Sequence, residues 1–124
     1  MNCFLNISNH PSALWSEKQK AEAEKYGPVI DVAFPAVDTS AGEENFIDMA
    51  KAFFSEVIKY KPSAVMCQGE YTLSFCLINM FLSHGIRCLA ACTERKAEEK
   101  KQEDGTSLKI SRFEFVKFRE YVKF

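Results

Sequence analysis

KPSAVMCQGEYTLSFCLINMFLSHGIRCLAAC, residues 61–92, is the stretch that decides the fold. Ala64-Val65-Met66-Cys67 is a short continuous apolar run, the pattern of a strand covered on both faces. Gln68-Gly69-Glu70 reads as the turn after it. From about Thr72 to His84 apolar side chains fall on most sides of a helix, so this should be the best-buried helix of the chain. Gly85 is a natural C-terminal cap. Ile86 to Cys92 is then a second apolar strand. Strand, helix and strand in that order make a β-α-β unit with parallel strands.

The pattern repeats toward the N-terminus. Phe46, Ala50, Phe53, Val57 and Ile58 recur at helical spacing, and Pro62 ends that helix. A polar loop with Asp38, Thr39 and Ser40 precedes it, and before the loop Val29 to Phe34 reads as a strand closed by Pro35. Ser16 with Gln19 forms a capping-box pattern for a helix running toward Tyr26, stopped at Gly27-Pro28. Asn2 to Ser8 is a buried first strand that leads into Asn9-His10-Pro11-Ser12. Four strands alternating with three helices predict an α/β fold, a Rossmann-like three-layer sandwich with a mainly parallel sheet. Its crossovers are expected to be right-handed, and its ligand crevice to lie beyond the carboxyl ends of the strands.

Beyond Cys92 the character changes. Arg95 to Gln102 is charged, Asp104-Gly105 is a hairpin turn signal, and Ser107 to Phe118 alternates apolar with polar. The apolar phase slips twice, from Leu108 and Ile110 to Phe113 and Phe115, then to Val116 and Phe118, which predicts a twist or bulge. The expectation is a C-terminal antiparallel β-hairpin over roughly residues 94–121, within a single domain spanning 1–124.

With 124 residues, 47% of them hydrophobic, the chain can build one core without disulfide support. A formal net charge of -1 speaks against a partnership with duplex DNA. The five cysteines are odd in number, form no CxxC pair, and lie mostly in apolar runs, as small buried side chains do in a reducing compartment. Cys88 with Cys92 is a poor zinc pair, so no metal is expected. Walker and GxGxxG motifs are absent, and with them the expectation of a conventional ATP or dinucleotide cofactor. No basic segment leads into a long apolar run, and Leu73 to Leu82 is too short to span a bilayer. A cytoplasmic protein without membrane contact is the expectation.

Three strand ends carry the polar residues. The first offers Ser8, Asn9, His10 and Ser12, the second Gln68, Gly69, Glu70 and Thr72, and the third Thr93, Glu94, Arg95 and Lys96. In a doubly wound sheet these three segments are expected to converge on one edge. His10 at a strand end can shuttle a proton or touch a phosphate, or can simply shape the turn with Pro11. Gly69 permits close approach of backbone to a ligand, and the free amides of the helix that follows can hold an anion. Glu70 can equally serve that helix as an N-terminal acid. Arg95 can clamp phosphate or pair with hairpin acids. Trp15 and His84 read as structural.

With these residues in view, the chain resembles the CARF-related ancillary ring nucleases, small Rossmann-type proteins found beside type III CRISPR systems. The resemblance rests on Ser8-Asn9-His10-Pro11, on Gln68-Gly69-Glu70 and on the single-domain size. It implies a homodimer that binds cyclic oligoadenylate and cuts it without metal, a ribose 2′-hydroxyl attacking the adjacent phosphate. On that pattern Ser8, His10 and Arg95 are catalytic, and Asn9, Gln68, Gly69, Glu70, Thr72 and Thr93 bind substrate. A dimer also suits the aromatic tail of Phe113, Phe115, Phe118, Tyr121 and Phe124. Two other readings stay open. One is a nucleotide N-glycosidase or deoxyribosyltransferase-like enzyme with Glu70 as nucleophile, and the other a non-catalytic nucleotide sensor.

Overall fold

In the computed structural model, which describes residues 2–124, five strands form one sheet in the order β2-β1-β3-β4-β5. The elements run β1 (Phe4–Ile7), α1 (Glu17–Glu24), β2 (Val29–Val32), α2 (Glu43–Val57), β3 (Ala64–Cys67), α3 (Tyr71–Ser83), β4 (Arg87–Lys101) and β5 (Ser107–Glu120). The first four strands pair in parallel and β5 pairs antiparallel to β4. The expected α/β architecture, mainly parallel with a C-terminal antiparallel hairpin, is therefore the observed one.

Two cores flank the sheet. On one face Leu5, Ile7, Val65, Cys67 and Cys88 meet Ala50, Phe54 and Val57 of α2 and Leu73, Leu77 and Phe81 of α3. On the other, Phe4, Ala64, Met66 and Leu89 meet Trp15 and Ala23, with Phe118 packed against them. The alternation of Phe4 and Leu5, or of Met66 and Cys67, between the two clusters is the two-residue period of a strand buried on both sides. α1 starts where expected, with Ser16 Oγ accepting the Gln19 amide at 3.2 Å. α2 turns Phe54 into the core more fully than Phe53, one residue from the face read in the sequence. α3 buries four residues but leaves Tyr71 and Phe75 in solvent, so its outer side is open.

The largest departure concerns β4. Rather than ending at Cys92 and looping into a hairpin, it continues without a break to Lys101. Thr93, Glu94 and Arg95 are thus strand residues, and the expected third loop does not exist. β3 pairs with β4 only as far as Met66 opposite Leu89, so beyond that point β4 and β5 continue as a two-stranded ribbon whose base, at Ala91, Phe115 and Phe118, still packs on the α1 side. One of the two predicted phase slips is a bulge: Thr93 faces Phe115 and Cys92 faces Lys117, leaving Val116 extra. At the other, Ile110 and Phe113 simply occupy opposite faces of the ribbon. Its tip is the predicted turn, with Gly105 at φ +89° and the Asp104 carboxylate accepting the Thr106 amide at 2.9 Å.

Gly27 holds φ +135°, and a Cβ there would stand 2.7 Å from the Asn2 carbonyl oxygen. Both backbone strain and a backbone clash oppose any side chain at this entry to β2. Gly27→Ala should therefore lower unfolding free energy by about 2 kcal/mol or more in urea titrations. A variant as stable as the parent would contradict the geometry.

Candidate functional site

In the strand order β2-β1-β3-β4, chain connections leave β1 and β3 in opposite directions, which makes the gap between their carboxyl ends the topological switch point. α1, after β1, covers one face, while α3, after β3, covers the other. Two grooves open at this gap. One, of about 380 Å³, is lined by Asn9, His10, Cys67, Gln68, Gly69, Tyr71, Ser74 and Tyr121. The second lies on the α1 side, where His10, Gln68 and Thr93 meet Trp15, Gln19, Phe113 and Phe115. His10 and Gln68 belong to both, so the grooves are two arms of one cleft.

The loop bearing His10 is shaped by a polar network that sequence reading passed over. Asn6, on β1, is buried, and its Nδ2 donates to the His10 carbonyl at 2.9 Å and to Asp31 Oδ1 at 3.0 Å. Ser8 Oγ donates to Asn6 Oδ1 at 2.7 Å and accepts the His10 amide at 3.1 Å. Asp31, from β2, accepts the amide and hydroxyl of Ser12. Every polar atom of Asn6 is thereby engaged. Ser8, expected to be catalytic, is a buried member of this scaffold rather than a group facing the cleft. Asn6 sat inside an apolar strand, and a lone amide there was the available signal.

The second loop is equally constrained. Glu70 is the N-cap of α3: its carboxylate accepts the amides of Thr72 at 3.0 Å and Leu73 at 2.8 Å, and the Thr72 hydroxyl at 2.7 Å. These hydrogen bonds, that from the Leu73 amide foremost, hold its carboxyl below the usual glutamate range. Glu70 and Thr72 therefore bond to each other and to the helix end, and neither lines the cleft. Gly69 lines it, but the close approach it allows is to a side chain: a Cβ would enter the ring of Phe34, itself buried. Gln68 Oε1 accepts the Ala91 amide at 3.2 Å and so extends the β3–β4 ladder past its last backbone pair.

Of the strand-end residues on β4, Thr93 reaches the α1-side groove. Arg95 lies one pleat further along the same face of the ribbon, opposite Phe113, and its Nη2 donates to Ser111 Oγ at 2.9 Å. It is absent from the lining of either groove. Cys67 does line the cleft, but burial pushes its thiol up to about 12, despite the Ser74 hydroxyl beside it, so at neutral pH it is no thiolate nucleophile. Ser74 is buried, and its hydroxyl is covered from solvent next to that thiol. Among the described residues no three His, Cys, Asp or Glu side chains gather as a metal-binding group. Trp15 packs against Phe4 and Phe118, and His84 Nδ1 meets the Met80 carbonyl at 2.8 Å, both as structural groups.

Residues 2–119 match the family model described as Uncharacterized protein MJ1673 family. The chain belongs to the MJ1673 family. No curated protein and no solved structure matches the chain. For the MJ1673 family the chemistry is therefore read from the cleft itself, whose lining unites Asn9, His10, Gln68, Gly69 and Thr93 from the sequence expectation with Tyr71, Ser74 and Tyr121.

Two outcomes follow for this loop pair. Ser8→Ala leaves Asn6 Oδ1 and the His10 amide unpaired and should cost about 1–3 kcal/mol in urea unfolding. Glu70 stabilises the fold fully above its ordinary value near 4.5, and that contribution fades as pH falls through its lower folded value. Melting curves of Glu70→Gln across pH 3 to 7 should accordingly show a flatter acid limb than the parent.

Proposed function

We propose that the cleft at the β1/β3 gap binds a nucleotide, and that the chain senses this ligand rather than breaking it. The observation that carries the reading is the shared His10–Gln68 divide. On either side of it hydrogen-bonding groups stand among aromatic rings, Tyr71 and Tyr121 on one arm and Trp15, Phe113 and Phe115 on the other. Amides beside flat rings are what a base requires, hydrogen bonds at its edge and stacking on its face. The resemblance to CARF-related ring nucleases makes cyclic oligoadenylate the ligand to try first.

Sensing is favoured over cleavage because, of Ser8, His10 and Arg95, only His10 lines the cleft. Metal-independent transesterification needs a group to stabilise charge on the phosphorane as well as one to move a proton. Ser8 is spent on Asn6 and the His10 amide, and Arg95 lies along the ribbon outside the lining of both arms. The N-glycosidase alternative loses support for a similar reason, since the Glu70 carboxylate is held by the end of α3.

The same proposal includes a homodimer. An isolated two-stranded ribbon is marginal in water, and this one exposes Leu108, Val116 and Phe113, the last 72% accessible. A second copy is the occupant we assign, and light scattering at micromolar concentration should return twice the chain mass of 14.1 kDa. A cytoplasmic setting fits the five free cysteines. No helix among the described residues is long and apolar enough to cross a membrane.

Thermal shift with AMP and with cyclic tri-, tetra- and hexa-adenylate tests the reading. At a hundred times its dissociation constant a bound ring adds about 2.7 kcal/mol and should raise Tm by several degrees. Tyr71→Ala should remove that shift, and mass spectrometry should recover the ring intact. If no nucleotide moves Tm, the reading is overturned. Recovery of a linear product with a 2′,3′-cyclic phosphate would overturn sensing in favour of cleavage, and His10→Ala should then slow turnover by about 10²-fold.

A further inference from the structure

The ribbon leaves one edge of β4 open. Past Leu89 no strand lies on its inner side, and the Gln68 side chain reaches its backbone at Ala91. From Thr93 to Lys101, roughly 30 Å of strand, β5 pairs the outer backbone groups and no strand among the described residues pairs the inner ones. A row of unpaired N–H and C=O groups is a template for one more strand. Charged side chains are one way to blunt such an edge, and for that purpose the order of their signs is immaterial.

Here the signs are ordered. The edge reads Thr93-Glu94-Arg95-Lys96-Ala97-Glu98-Glu99-Lys100-Lys101, and its charges change sign by reflection about Ala97. When a second copy is laid antiparallel with Ala97 opposite Ala97, Lys96 meets Glu98, Arg95 meets Glu99 and Glu94 meets Lys100, each twice by the two-fold symmetry. No like charges meet. Sliding the register by two residues sets Glu94 against Glu98 in one direction and Lys96 against Lys100 in the other. Within the chain Lys96 and Glu98 reach Glu114 and Arg112, but among the described residues Glu94, Glu99 and Lys100 make no ion pair. Glu94 stands opposite Glu114, a like charge, across the ribbon. What β5 leaves unpaired, a second β4 pairs.

We propose that two copies join by antiparallel pairing of their β4 edges about Ala97, turning two ribbons into one four-stranded sheet. This rests on the homodimer reading above and adds to it the surface and the register. Four strands also remove the weakness of an isolated ribbon. The same register sets the partner subunit's Lys101 opposite Thr93, which lines the α1-side groove. That groove has no Lys or Arg of its own, so the second copy brings a cation to its rim.

Disulfide trapping in the full-length chain tests the contact, with the parent and its five free cysteines as the baseline. Directly opposed residues of antiparallel strands stand about 4.5–5.5 Å apart at Cα, within disulfide reach. Oxidised Ala97→Cys at micromolar concentration should therefore run as a covalent dimer on a non-reducing gel. Thr93→Cys/Lys101→Cys should bridge as well, and only between chains, because the two positions lie roughly 26 Å apart along one strand. Neither single substitution should do so. Glu94→Lys sets a second ammonium against Lys100 at two places and should raise the dimer dissociation constant about tenfold in a light-scattering titration. Adding Lys100→Glu should restore the parent's value. A dimer that is trapped by neither cysteine variant, or that keeps its dissociation constant in Glu94→Lys, overturns this contact and leaves the homodimer reading standing. A parent chain that is monomeric at micromolar concentration overturns both.

Discussion

Asn6 carries an amide into the interior of the sheet, where leaving it unpaired would cost about 1–3 kcal/mol. The chain resolves this by bending the segment after β1 back over it, so that the His10 carbonyl, Ser8 Oγ and Asp31 Oδ1 become its partners. Asp31 in turn fixes Ser12, at the approach to α1. One buried side chain thus ties β1 to β2 and sets the position of His10 above the gap. The rest of the cleft is arranged around that fixed point.

The opposite wall is set by a different constraint. Gly69 must lack a side chain because the ring of Phe34, arriving from the segment after β2, occupies that space. Phe34 is part of the core between sheet, α2 and α3, so the second loop is pinned by packing where the first is pinned by hydrogen bonds. Gln68 bridges the two regimes, lining both arms while bonding the β4 backbone. A cleft with both walls held this way is largely formed before any ligand arrives, which limits the ordering cost of binding.

β4 shows why a local reading can place residues correctly and still mistake their role. Thr93-Glu94-Arg95 looked like a loop because the apolar run stops at Cys92. A strand needs apolar side chains only where something covers it. Past Leu89 no strand pairs with β4 on its inner side, where only the Gln68 side chain reaches its backbone at Ala91, and its outer neighbour β5 supplies the backbone partners regardless of side-chain polarity. Charged residues then suit both faces of an exposed ribbon, with Lys96–Glu114 at 3.3 Å and Arg112–Glu98 at 3.2 Å across it. Such surface pairs add little stability, but they keep a long ribbon wet on this face. Leu108, Val116 and Phe113 are the exceptions that the ribbon leaves exposed.

The sequence by itself determined the layers and the edge at which a site can form. Continuous apolar strands such as Ala64–Cys67 demand cover on both faces, and Gly85 and Ser16 set helix limits that the structure keeps to within a residue or two, while α2 already ends at Val57, five residues before Pro62. Those are local rules, settled by the period of the side chains and by backbone chemistry at the caps. It also named His10, Gln68 and Thr93, which lie together because β1 and β3 end at one edge and β4 runs on past it. Only the tertiary structure decided which polar residues at that edge are free to meet a ligand. Ser8, Glu70 and Arg95 all found partners within the chain, Asn6, the α3 amides and Ser111 respectively. Whether a hydroxyl or a carboxylate is satisfied depends on donors and acceptors that can lie many residues away, or on the geometry of a turn, and residue type and spacing carry neither.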